Sequence, residues 1–262
     1  LHRRGFQLLM FDLRNHGQSA TSPPVTFGWR EADDLLGALE YVAGREDVDP
    51  ERIGVIGFST GANTTLFALP RTELIGAAIA VQPTSPAVFA SRYAGPLAKL
   101  VLPLAEFAYR LAGGLRLSAV EPVFAAAGAG ETPLLYVQGK GDNWGGAEDV
   151  AAMVAASPGA VEPLFVESRG RFGGYQYLID NPEVVEAFFT AAHQAIAPLT
   201  PLAAAEMARL AELLARIIGA TEAAPTPARK THILISRSTD PGAQAAPAIQ
   251  IDQYLTDLLR FR

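Results

Sequence analysis

Short apolar runs alternate along this chain with longer stretches in which apolar residues recur every three or four positions. Residues 6–11, 53–56, 74–81, 133–138 and 161–167 are compact apolar blocks of strand length, bounded by glycine, proline or charged residues. Between them, Trp29, Ala32, Leu35, Leu36, Leu39 and Val42 fall on one face of a helix, as do Val184, Val185, Phe188 and Phe189 after Asn181-Pro182-Glu183. Helices are also expected over 62–69, over 147–156, and over 96–111 with a kink at Pro103. Strands alternating with helices at this pitch predict an α/β protein with a doubly wound, mostly parallel sheet. Such a sheet carries its working loops at the carboxyl ends of the strands.

Three regions depart from the alternation. The stretch 84–131 is too long for a loop and reads as a short helical cap inserted between two strands. From Pro201 the composition changes, and Leu202, Met207, Leu210, Leu213, Leu214, Ile217 and Ile218 make a helical stripe. A Thr/Ala/Pro linker then precedes a strand-like run over 231–236 and a last helix over 250–259. The chain therefore divides into a main domain over 1–198 and a C-terminal helical extension over 199–262 of unassigned role. At the other end, Leu1 to Gly5 reads as a helix end capped by glycine, as in an interior fragment of a longer protein.

With 262 residues, 49% of them hydrophobic and 18% charged, the chain is globular. Its net charge of −6 without a basic cluster argues against a nucleic-acid partner. The absence of cysteine excludes disulfides and thiol chemistry. Four histidines without ligand spacing suggest no metal and no cofactor. No apolar run is long enough for a membrane span. The compartment stays open, with the cytoplasm favoured, as does the oligomeric state.

The chemistry-bearing motif is Gly57-Phe58-Ser59-Thr60-Gly61, between an apolar strand and a helix. A serine on so sharp a strand-to-helix turn is lifted above the strand ends. The N–H of Thr60, at the helix start, is aimed at developing negative charge. Upstream, the first strand ends in Asp12-Leu13-Arg14-Asn15-His16-Gly17-Gln18-Ser19; downstream, the strand over 133–138 ends in Gly139-Lys140-Gly141-Asp142. In order and spacing these signals resemble the α/β-hydrolase superfamily, in its serine aminopeptidase-like or dienelactone hydrolase-like branch, over about residues 1–198. The resemblance implies a sheet of that type lacking its first strands. It also implies a serine hydrolase for an ester, thioester or amide bond, acting on a small acyl substrate or a short peptide. Ser59 would be the nucleophile, Thr60 N–H an oxyanion donor and Asp142 the acid.

One expected part is missing. In this superfamily the base is a histidine in the loop after the last strand, and that loop here reads Ser168-Arg169-Gly170-Arg171-Phe172-Gly173-Gly174-Tyr175. Gly170 or Arg171 occupies its place, and arginine stays protonated and accepts no proton. His16 is the one histidine on a loop at the active edge. Asp142 could orient a histidine or instead pair with Arg169 or Arg171. The alternative function is therefore a catalytically impaired hydrolase-fold protein that binds a ligand or partner. The family's third strand, which lies between its fourth and fifth and carries a further oxyanion donor, would fall upstream of Leu1. Its absence leaves a gap in the sheet unless the neighbours close up or the missing segment lies outside this sequence.

Overall fold

The computed structural model describes residues 1–195 and 232–237. A short 3-10 turn over His2–Arg4 ends at Gly5, whose φ of 93° lets its N–H return to the His2 carbonyl. The chain then runs through β1 (Gln7–Asp12), α1 (Glu31–Ala43), β2 (Ile53–Phe58), α2 (Thr60–Ala68) and β3 (Ala77–Val81). The insertion that follows contains α3 (Pro86–Ala94), α4 (Ala98–Leu111) and α5 (Pro122–Ala127). β4 (Leu134–Gly139), α6 (Ala147–Ala156), β5 (Leu164–Val166), α7 (Gly173–Asp180) and α8 (Pro182–Ala195) complete the main domain. A last strand, β6 (His232–Arg237), comes from the tail.

The sheet has the order β1-β6-β2-β3-β4-β5, and every pair is parallel. β2, β3 and β4 are buried on both faces, so they read as largely apolar runs. Successive residues serve opposite layers. Val55, Ala78, Ala80, Leu134 and Tyr136 pack with Leu35 and Leu39 of α1, Leu66 of α2 and Met153 of α6. Ile56, Ile79, Val81, Leu135 and Val137 pack with Leu178 of α7 and Val185 and Phe189 of α8. Helices on both faces make the doubly wound architecture expected from the alternation of elements.

The gap expected in the sheet is filled. β6 lies between β1 and β2, with Leu9, Leu234 and Val55 in register across the three strands. The tail thus enters the centre of the fold by its strand-like run. The rest of the extension, with its helical stripe and its expected last helix, lies outside the described residues. Trp29 also differs from expectation. It precedes α1 instead of joining its buried face, is 47% exposed, and meets the Phe67 ring edge-on. α1 begins at Glu31 because that buried carboxylate accepts the Thr26 N–H and hydroxyl and the Gly28 N–H. No helix among the described residues is long and apolar enough to cross a membrane.

Candidate active site

The site lies at the carboxyl ends of β2, β3 and β4, where buried strands deliver loops to the surface. Ser59 sits between β2 and α2 with φ 52° and ψ −115°, a conformation non-glycine residues rarely adopt. The turn is held by Ser59 N–H donating to Val81 O at 2.9 Å and by the close approach of Gly57 to the helix. A Cβ on Gly57 would stand 2.2 Å from Gly61 O, so only glycine permits this turn. Thr60 is the first residue of α2.

Asp142 follows β4, two strands from β2. Its side chain is fully buried. Oδ1 accepts the Trp144 N–H at 2.9 Å, and Oδ2 accepts Gln82 Nε2 at 2.6 Å and, at 3.4 Å, Gln138 Nε2. The remaining partner is Arg171, whose Nη1 donates to Oδ2 at 2.6 Å. The same guanidinium donates from Nη2 to the Ser59 hydroxyl oxygen at 2.5 Å. Arg171 therefore spans the acid and the serine, in the place where the resemblance puts a base.

The guanidinium is held through its two terminal nitrogens and one face, while its Nε is buried without a partner among the described residues. It lies 4.5 Å over the Trp144 ring, and Nη1 also reaches Thr84 Oγ1 at 3.3 Å. The Arg171 carbonyl accepts from Gln82 Nε2, while Gln82 Oε1 accepts the Gly174 N–H at 2.8 Å. Gln82, at the end of β3, also holds a positive φ, of 50°. Of the two residues that could occupy the base position, Gly170 is exposed and borders open space, whereas Arg171 is buried. Arg169 is exposed as well, which leaves Arg171 as the partner of Asp142.

None of the hydrogen bonds described at the Ser59 hydroxyl or the Asp142 carboxylate involves a histidine. His16 Nδ1 bonds the Arg14 carbonyl at 2.8 Å, inside a loop built by Asp12, whose carboxylate accepts Gln18 N–H. Arg14 pairs with Asp34 of α1. The Asp12–Ser19 motif thus shapes its loop. His193 bonds the Phe189 carbonyl within α8, and His2 lies beside the Phe6 carbonyl. His232 begins β6 beside Gln7 and Ile53, at the amino end of the sheet and opposite the serine.

Three polar residues of the site were not singled out from the sequence: Gln82, Thr84 and Gln138. Two of them carried a signal. Gln82 directly follows the apolar strand Ala77–Val81, and Gln138 interrupts the apolar run of β4. A buried amide needs partners: Gln82 finds them in Asp142 and the Arg171 loop, and Gln138 Nε2 in the Gly139 and Gly145 carbonyls and Asp142.

Comparison with known proteins gives the same frame. The chain is 39% identical over 69 residues to the uncharacterized protein YfhR of Salmonella typhimurium, covering 26% of this chain and 23% of that protein. It is 38% identical over 76 residues to the acyltransferase drtE of Aspergillus calidoustus, covering 28% and 25%. These alignments span about a quarter of the length of either relative. The esterase Pf2001 of Pyrococcus furiosus shares the fold, with a TM-score of 0.55 at 23% identity over 72% of both chains. Residues 26–156, half of the sequence and the stretch holding Ser59 and Asp142, match the model of the prolyl oligopeptidase family. The chain belongs to the prolyl oligopeptidase family and has the α/β-hydrolase fold.

Proposed function

We propose that the Ser59 site is that of a serine hydrolase for esters, thioesters or amides in which Arg171 has taken the seat of the base. Ser59 is the nucleophile, Thr60 N–H faces the oxyanion, and Asp142 is the acid of the site. The observation that carries this reading is the strained Ser59 joined to the buried Asp142 through one guanidinium. A backbone strained in this way persists only where its surroundings over-determine it, and it aims the hydroxyl at an incoming carbonyl. The guanidinium, however, donates to the serine oxygen and takes no proton from it. The site therefore binds a small acyl group or short peptide and turns it over slowly or not at all. The names of two similar proteins, an esterase and an acyltransferase, support acyl chemistry as the substrate class.

An alkyl fluorophosphonate tests the reading, because it reacts with activated serines. Intact-mass spectrometry followed by peptide mapping should find slow labelling confined to Ser59 and none in Ser59→Ala. Rapid, stoichiometric labelling of Ser59 would show that the serine is activated in the presence of Arg171. Labelling at another residue would remove Ser59 from its role.

A further inference from the structure

α4 stands on the body of the protein by a narrow stripe. Ala98, Leu102, Glu106 and Tyr109 are its half-buried positions, one per turn, and no residue of the helix is fully buried. Tyr109 donates its hydroxyl to the Val25 carbonyl at 2.7 Å, and Glu106 accepts the Leu117 N–H at 3.2 Å. Leu97, Leu100, Leu104, Phe107 and Leu111 recur at spacings of three and four, so they share another face of the helix. They are 61%, 77%, 71%, 58% and 75% exposed. A soluble domain ordinarily turns such a stripe toward its core. Here the amphipathic helix is turned the wrong way round for packing.

The charges on this helix are equally one-sided. Its single carboxylate, Glu106, turns inward to Leu117, while Lys99 and Arg110 are exposed, and exposed Arg116 follows shortly after the helix. This cationic element belongs to a chain of net charge −6. An apolar face of leucine and phenylalanine flanked by cations suits a helix lying in the plane of an anionic lipid surface, where lysine and arginine stems reach the headgroups. The face is a convex ridge and not a groove, so it fits a deformable plane better than a protein helix. A second copy is a poor occupant. Two ridges about 21 Å long would bury less than the roughly 800 Å² per partner typical of stable complexes, and would set like charges together.

We propose that α4 is a lipid-docking element that seats this protein on anionic membrane surfaces. The insertion that carries α4 begins at Thr84, a contact of Arg171. The proposal stands apart from the reading of Ser59 and survives its failure.

Co-sedimentation of the full chain with vesicles tests it. Vesicles of phosphatidylcholine with about 30% phosphatidylserine should pellet the protein, and pure phosphatidylcholine vesicles should pellet far less. Leu104→Glu with Phe107→Glu should abolish binding without altering the circular dichroism spectrum, because both positions are exposed. Lys99→Glu with Arg110→Glu should weaken it by about tenfold or more. Phe107→Trp should shift its emission to the blue when phosphatidylserine vesicles are added. Absence of vesicle binding, equal binding to both lipids, or binding that survives the glutamates would overturn the proposal. So would light scattering that showed a dimer dissociated by the same glutamates with no lipid bound.

Discussion

At the scale of single residues, Arg171 decides what this site can do. A buried ion pair is costly to break from one side, because the partner left behind keeps its desolvation penalty. Asp142 retains Gln82, Gln138 and the Trp144 N–H if Arg171 is lost, so its charge would stay hydrogen-bonded but unpaired. Arg171→Met should therefore destabilise the fold by about 3–5 kcal/mol, read from urea unfolding, and should leave hydrolysis at background. Arg171→His differs in kind, since an imidazole is able to accept the Ser59 proton while bonding Asp142. Loss of one triad member costs on the order of 10⁶ in turnover, with roughly 10³–10⁴ over water remaining. Even a poorly placed histidine thus has several orders of magnitude to recover. With an activated ester, Arg171→His should exceed the parent, and adding Ser59→Ala should erase the gain. If the folded histidine variant only matched its Ser59→Ala control, Ser59 would not be held for attack.

Elements show the limits of local pattern more clearly than residues do. The Ser59 turn was legible because an apolar strand, two glycines and a helix start fall within a few positions, and Gly57 is a steric necessity. The loop that ends in Arg171 was legible as lacking a histidine. Which of its residues turns inward was not, because that depends on Gln82 gripping the Arg171 carbonyl from another strand. β6 is the strongest case. Its apolar run is visible in the sequence, yet its partners lie over 170 residues away, and parallel pairing leaves no local signature of which strand goes where. Since β1 joins the sheet only through β6 among the described strands, β6 belongs to the core of the fold. A proline at Leu234 would remove a ladder N–H in a central strand and should cost about 3 kcal/mol or more. Urea unfolding of Leu234→Pro checks this. A midpoint equal to that of the parent would mean that the tail is an appendage.

For the whole molecule, stability should depend on pH from a half-buried histidine and a buried tyrosine on opposite faces of the sheet. Burial lowers the pKa of His193 from its ordinary value, opposed by its bond to the Phe189 carbonyl, and its other ring nitrogen is buried without a partner among the described residues. The unfolded chain then takes up this proton more readily. Stability from this group is present above about pH 6.5 and is lost as pH falls below it. Tyr136 does the reverse. Burial pushes its phenol up to about 12, even though its hydroxyl bonds Ser157 Oγ at 2.7 Å. Between about pH 10 and pH 12 the unfolded chain loses this proton while the folded chain keeps it, so stability falls by about 2–3 kcal/mol across that window. Urea midpoints measured from pH 5 to pH 11.5 should form a plateau with a shoulder at each end. His193→Gln should flatten the acid shoulder between about pH 6.5 and pH 5. Tyr136→Phe should soften the alkaline one without removing it, because burial also raises the pKa of Tyr109. A parent midpoint that stayed level from pH 10 to pH 11.5 would show that the Tyr136 phenol is open to water, and the close packing of β4 under α6 would have to be redrawn.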